Sequence, residues 1–167
     1  MKTIGLGYCW EELEVGMRVR TLRRTITEAD LVAFVSVTGM LEAIFIDATY
    51  DSAAGAIRGR FVPGALVYTF IEGFQCQSFF QGTGLALLEV HQRVLKPTFV
   101  GDTIHAEIEV TGVRPTSKGA RAIVNSSHEV LNQRGECVLT YTATRMMAGR
   151  AERDRISDAR APGPQSE

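Results

Sequence analysis

The sequence predicts an α+β domain in which an antiparallel sheet curls around one apolar helix. Three observations carry this expectation. Helical periodicity dominates to about residue 80, and strand periodicity takes over from there to about residue 148. Between the two lies PGALVYTFIEGFQCQSFF, residues 63–80, which is too apolar around its circumference to be a surface helix.

The elements follow in order. CWEELEVGMRVRTLRRTI reads as an aromatic anchor, a turn at Gly16 and a strand from about Met17. Val19 and Leu22 are its apolar content, and Arg18, Arg20, Arg23 and Arg24 predict partial exposure. TITEADLVAFVSVTG reads as a helix. Thr27 is a good N-cap, and Asp30, three residues on, makes a weaker cousin of the capping box. Glu28 and Asp30 suit the positive helix start, Leu31, Phe34, Val35 and Val37 form the expected buried stripe, and Gly39 is the stop signal. The acids of this helix have a structural task in this reading. The small, Gly-rich stretch up to Gly59 reads as a loop or short helix, and DATYD, from Asp47, as a helix start. Pro63 and Gly64 open the central helix, where a residue without an N–H does no harm. Gly73 inside it suggests close packing or a bend.

The second half gives one strand ending near Lys96 and another opening at Asp102. In the latter Ile104, Ala106, Ile108 and Val110 alternate with His105, Glu107 and Glu109, so one face is expected dry and the other wet. Two further strands flank the turn NQRG. We read residues 1–150 as a single domain and 151–167 as an appended polar tail, part of it helix, outside the core.

Composition narrows the function classes. A formal net charge of -1 argues against a general polyanion binder, so nucleic acid is not an expected partner. No apolar run has the length of a secretory signal or a spanning helix, so a cytoplasmic protein without membrane contact is the expectation. Cys9, Cys76 and Cys137 are odd in number and far apart, which favours reduced, small core hydrophobes over disulfides or a zinc site. His91, His105 and His128 show no ligand spacing. No metal and no cofactor are expected.

The residues WEELEVGM, RTITEADLVAFVSVTG, VPGALV and RVLKPTFVGDTIHAEIEV, in this order, resemble the MaoC-like dehydratases of the hot-dog superfamily, which include (R)-specific enoyl-CoA hydratases. The resemblance covers about Trp10 to Arg150. It implies a hot-dog fold, dimerised by edge-to-edge sheets, with an acyl thioester of CoA or acyl carrier protein in a tunnel between subunits. It also implies a homodimer or higher homo-oligomer, or a heteromeric partner, since the fold supports mixed dimers.

The chain departs from the family at the hydratase motif, TGMLEAIFIDATY. Met40 stands where the resemblance places the catalytic Asp and Phe45 where it places the His, while Glu42-Ala43 replaces an Asn-Pro pair. Neither Met40 nor Phe45 can move a proton. Asp47 matches an acid that often follows the His. Gly64 matches the glycine that opens the central helix, though Pro63 replaces the His before it. Thr69 falls where hydratases often carry a Ser.

Hydration needs water deprotonated as it attacks C3 and a proton delivered to C2, each worth roughly 10² to 10⁴ in rate. Three acids are candidates for that work. Glu42 lies between the replaced positions, and its alternative is a solvated loop acid. Asp47 lies just beyond, and its alternative is a cap or turn-stabilising carboxylate. Glu72 lies on the apolar helix, one turn from Tyr68 on the same face, where some hot-dog thioesterases carry a nucleophile or base. Its alternative is an ion-paired acid. The Gly64 N–H is the candidate oxyanion donor. Met40, Phe45, Val62, Pro63, Tyr68 and Thr69 are candidate acyl-lining groups, and Arg60, Arg93 and Lys96 candidate cations for CoA phosphates. The sequence thus supports three readings: a hydratase or dehydratase with relocated acid–base groups led by Glu42 and Asp47, a non-catalytic thioester-binding or partner subunit, and a thioesterase using Glu72.

Overall fold

The computed structural model describes residues 4–50, 59–117 and 119–159. The expected Gly-rich stretch 51–58 and the tail beyond 159 lie outside the described residues. A 3₁₀ turn at Trp10–Glu12 leads into β1 (Arg18–Arg20) and β2 (Arg24–Thr25). Helix α1 (Glu28–Thr38), the short α2 (Ala43–Ile46) and β3 (Phe61–Val62) precede the central helix α3 (Gly64–Cys76). The long strands are β4 (Gly84–Val94), β6 (Thr103–Pro115), β7 (Arg121–Leu131) and β8 (Cys137–Ala148), with the short β5 (Thr98–Phe99) between the first two and α4 (Arg150–Ala159) at the end.

The main sheet is antiparallel and ordered β1-β6-β7-β8-β4, with β2 also on β6, while β3 pairs with β5. Its inner face is built largely by alternation. Ile104, Ala106 and Ile108 of β6, Val130 of β7, and Leu139, Tyr141 and Ala143 of β8 pack on Leu66, Val67 and Ile71 of α3. This is the α+β hot-dog arrangement: a sheet wrapped on one helix.

Local signals explain most boundaries. The Thr27 hydroxyl accepts from the Asp30 N–H at 3.3 Å, and the Asp30 carboxylate accepts from the Thr27 N–H at 2.8 Å, so the capping box is complete. Thr27→Ala is expected to lower stability by about 1 kcal/mol, and Thr27→Ser to restore most of it, as read by urea denaturation. Gly39 ends α1 in the left-handed region at φ 71, where a side chain would be strained.

Several expectations need correction. Val37 is not in the α1 stripe but 83% exposed, because that stripe is narrow and is filled by Leu31 and Val35. DATYD does not start a helix at Asp47: this residue is the C-cap of α2. His105 is not on a wet face. It is buried, and its Nδ1 has no partner, while Arg20 and Arg23 beside it add to the burial that lowers its pKa. Of the cysteines only Cys9 is buried, and Cys76 is exposed on α3. Nor is α3 covered on most sides by its own chain. Leu66, Val67, Ile71 and Gln75 are buried, but Ala65, Thr69 and Cys76 are exposed. A Cβ added at Gly73 would meet nothing within 4 Å, so close packing among the described residues does not explain this glycine.

Strand β4 forms the other open surface. It pairs with β8 along one side only, and Leu87, Leu88 and Val94 are about half exposed, at 48%, 51% and 55%. A long edge with that much apolar surface is what natural sheets avoid unless another chain covers it.

Candidate active site

The start of α3 is the first part of the site. Pro63 is the N-cap, and its carbonyl accepts from the N–H groups of Leu66 and Val67 at 2.9 and 3.3 Å. No described residue accepts from the N–H groups of Gly64 and Ala65, so two donors point out of a positive helix end. Strand β4 lies close against this end: a Cβ on residue 64 would sit 2.7 Å from Val94 Cγ2 and 3.7 Å from Gln92 Nε2. Glycine here lets the strand and the donors share one small space.

From Gly64 a stripe runs down the helix at four-residue spacing through Tyr68, Glu72 and Cys76. Glu72 is thus about 12 Å of helix rise below Gly64, with its side chain leaning back toward the helix start. Its Oε1 accepts from the Tyr141 hydroxyl at 2.9 Å, from Gln75 Nε2 at 3.1 Å and from Arg145 Nη2 at 2.5 Å. No described group bonds Oε2. Tyr68 packs edge-on against Tyr141, with ring centroids 5.1 Å apart.

The network continues inward. Gln75 Nε2 also donates to the Tyr141 hydroxyl at 2.7 Å, and the Gln75 carbonyl oxygen lies 3.1 Å from His128 Nε2. The His128 ring stacks on Tyr141 at 3.8 Å. Burial, aided by the Arg145 cation and opposed by the Tyr141 carbonyl, pushes the His128 pKa down to about 3, so its imidazole is neutral. Burial and the nearby Glu72 charge push both Tyr68 and Tyr141 above the usual phenol range. The same two causes raise the Cys76 thiol, which makes it a poor thiolate.

The other predicted residues lie elsewhere. Glu42 is exposed at the N-cap of α2 and makes no capping bond. Asp47 is exposed, and the Thr49 N–H and hydroxyl, at 2.8 and 2.7 Å, hold its carboxyl below the usual range. Phe45 is buried with Leu31 and Val35 and stacks on Phe61 at 5.8 Å, with Met40 packed beside it. Val62 and Pro63 are buried at the helix start. The Thr69 hydroxyl is turned back to the Ala65 carbonyl at 2.7 Å. Arg60 is engaged by Glu28 and by the Phe45 carbonyl oxygen, and Lys96 by Glu136 at 2.9 Å. Arg93 is exposed on β4, opposite Thr140. Of the candidate acids, the fold brings only Glu72 onto the face that begins at Gly64.

Sequence reasoning missed Gln75, His128, Tyr141 and Arg145. A signal for Arg145 existed: LTYTATRMM alternates, so Arg145 falls in the inward row with Leu139, Tyr141 and Ala143. An arginine in a dry row demands a partner. A cavity of about 960 Å³ lies farther along, between residues 4–8, the end of α3 and α4, and none of the predicted site residues lines it. Among the described residues no His, Cys, Asp or Glu cluster could hold a metal, and no helix is long and apolar enough to cross a membrane.

A hot-dog domain with free N–H donors at the start of its central helix defines the class of protein. The MaoC like domain family matches residues 12–131, and the chain belongs to that family. It is 27% identical to the (R)-specific enoyl-CoA hydratase of Aeromonas caviae over 80% of this chain and 94% of that protein. It is 43% identical to a mesaconyl-CoA hydratase of Cereibacter sphaeroides over 72 residues, 43% of this chain but only 20% of that protein, so the match spans about a fifth of the relative's length. Among solved structures, the unliganded (R)-hydratase of Pseudomonas aeruginosa aligns with a TM-score of 0.68 at 28% identity, covering 84% of this chain and 85% of that one.

Proposed function

We propose that the protein binds an acyl thioester of the 2-enoyl- or 3-hydroxyacyl-CoA type and interconverts the two, with Glu72 as its acid–base group. The observation that carries this is the single helix stripe on which the unbonded Gly64 N–H and Glu72 lie two turns apart. The thioester carbonyl accepts from the Gly64 N–H of one copy, and the Glu72 that acts on its C2–C3 bond is that of a second copy, since about 12 Å of helix separates the two groups within one chain. Glu72 Oε2 takes a proton from water as its oxygen attacks C3, and the negative charge moves to the thioester oxygen, where the N–H stabilises it. The proton then passes from Glu72 to C2, so water has added across the double bond and the carboxylate is regenerated. Tyr141 and Arg145 hold the carboxylate in place through Oε1. The carrier is CoA or acyl carrier protein, and the relatives' names make mesaconyl-CoA one candidate substrate.

The exposed edge of β4 and the open side of α3 support a dimer in which a second copy, or a related chain, closes the thioester site. The apolar pair Met40 and Phe45 supports a second reading, in which this chain binds the thioester and a different subunit moves the protons.

Purified protein incubated with a panel of 2-enoyl- and 3-hydroxyacyl-CoA thioesters in ¹⁸O-labelled water separates the readings by mass spectrometry. Labelled 3-hydroxyacyl-CoA that disappears in Glu72→Gln is the expected result. Loss on Glu42→Gln or Asp47→Asn instead would move the chemistry to the α2 loop. Free CoA with labelled acid would mean hydrolysis, and no turnover of any thioester would leave the binding subunit.

A further inference from the structure

We infer that Gln75, clamped by His128, is a positioning residue for Glu72: the pair orders the buried hydrogen-bond network so that Glu72 Oε1 is saturated and Oε2 alone exchanges a proton with the substrate. The inference rests on the acid–base reading of Glu72 and names what makes its two oxygens unequal. The network lies within one chain, so each copy prepares its own Glu72 for the thioester held by the other. Gln75 is 0% and His128 1% exposed, so neither meets the thioester and water substitutes for neither.

The amide of Gln75 settles the first protons. Its Nε2 lies 2.7 Å from the Tyr141 hydroxyl, 3.1 Å from Glu72 Oε1 and 3.4 Å from the Ile71 carbonyl oxygen. The last two only accept, so an amide oxygen on that side would face two oxygens with no proton between them. The NH2 group therefore takes that side, and the amide oxygen faces His128 Nε2 at 3.1 Å. That oxygen only accepts as well, so the neutral His128 carries its single proton on Nε2. Its Nδ1 is left bare, at the longer distance of 3.3 Å from the Tyr141 carbonyl oxygen.

The order then passes to Tyr141 and Glu72. The amide nitrogen accepts nothing, so the Tyr141 proton goes to Glu72 Oε1 at 2.9 Å. Arg145 Nη2 donates to the same oxygen. Three donors converge on Oε1, and a carboxylate oxygen has about two lone-pair sites, so none is left there for a proton. Oε2 bonds no described group. Deleting the Gln75 amide would take one donor from Oε1 and leave the Tyr141 oxygen without a donor among the described residues. The carboxylate would then turn more freely about its Cγ–Cδ bond, and its two oxygens would compete for Arg145. A base misplaced by about 1 Å costs up to about 10²-fold in rate.

Steady-state kinetics of the full chain with the best 2-enoyl-CoA of the panel tests this. Gln75→Met keeps most of the volume and removes the amide, and is expected to lower kcat by about 10 to 10²-fold with KM little changed. His128→Phe keeps a ring on Tyr141 but releases the amide oxygen, and should lower kcat several-fold, again at constant KM. It decides the matter if Gln75→Met does not fold. In a cycle with Tyr141→Phe the losses should be non-additive, since the two residues act on one oxygen. Wild-type kcat in the folded Gln75 and His128 variants, with only their urea midpoints lowered, would make the pair structural and overturn the inference. Additive losses with Tyr141→Phe would overturn it too. Either result beside an inactive Glu72→Gln leaves the acid–base reading standing. A fully active Glu72→Gln, or a wild-type protein that turns over no thioester, would overturn both.

Discussion

Glu72→Gln is expected to lower the turnover number for 2-enoyl thioesters by about 10² to 10⁴ while changing KM little. The reasoning is geometric. The carboxamide oxygen of glutamine can still accept from Tyr141 and Arg145 at Oε1, so the helix stripe and the bound carbonyl stay in place. What disappears is the proton acceptor at Oε2, which acts only as water attacks, and a group used only in the transition state affects kcat before KM. Steady-state kinetics with the best substrate of the panel checks it. A variant as active as the wild type would make Glu72 a structural partner of Arg145 and nothing more.

Mild acid is expected to destabilise the protein through His128. The folded pKa of about 3 lies below the unfolded value of about 6.5. Below pH 6.5 the unfolded chain therefore binds a proton that the folded protein refuses. The stability from a neutral His128 is complete above 6.5 and is lost as pH falls toward 3, at a limiting slope of about 1.4 kcal/mol per unit. Between pH 5 and 4.5 this amounts to roughly 2 kcal/mol relative to neutral pH. His105, also lowered, acts in the same direction. The depressed carboxylates Asp30, Glu107, Glu136 and Glu152 hold their contributions until lower pH, since theirs fade only below the ordinary carboxylate range. Urea denaturation from pH 7 to 5 isolates the histidines. His128→Phe should flatten the slope even though it leaves the Gln75 carbonyl unpaired and lowers stability at neutral pH. A packing defect alone would shift the curve without flattening it.

The elements that the sequence announced are those whose causes are local. The Thr27–Asp30 box, the left-handed Gly39 stop, the Pro63-Gly64 helix start and the alternation of β6 to β8 each depend on residues within a few positions of one another. The open donors at Gly64 belong to the same group, because a helix start leaves N–H groups unbonded wherever it forms. The absence of proton chemistry at Met40 and Phe45 was equally plain, since it depends on side-chain type.

What the sequence did not decide was which acid meets the helix start and what surrounds it. The sequence put Glu42 and Asp47 first for hydration and Glu72 first for hydrolysis. Thr49 bonds Asp47 locally, Glu42 is exposed at the N-cap of α2, and only the pairing of β7 with β8 under α3 gives Glu72 its partners. Arg145 lies 73 residues from Glu72 and Tyr141 lies 69. Their meeting depends on strand register, and a one-residue slip would turn both from the helix to the opposite face. The burial of His105 and the exposure of Cys76 have the same origin: composition and periodicity say which face a residue occupies, but packing of distant segments says whether that face is covered. The sequence by itself determined a hot-dog domain with a donor at a helix start; the tertiary structure alone decided that a buried arginine and a carboxylate meet beside that helix, because that contact is made by register and not by neighbours.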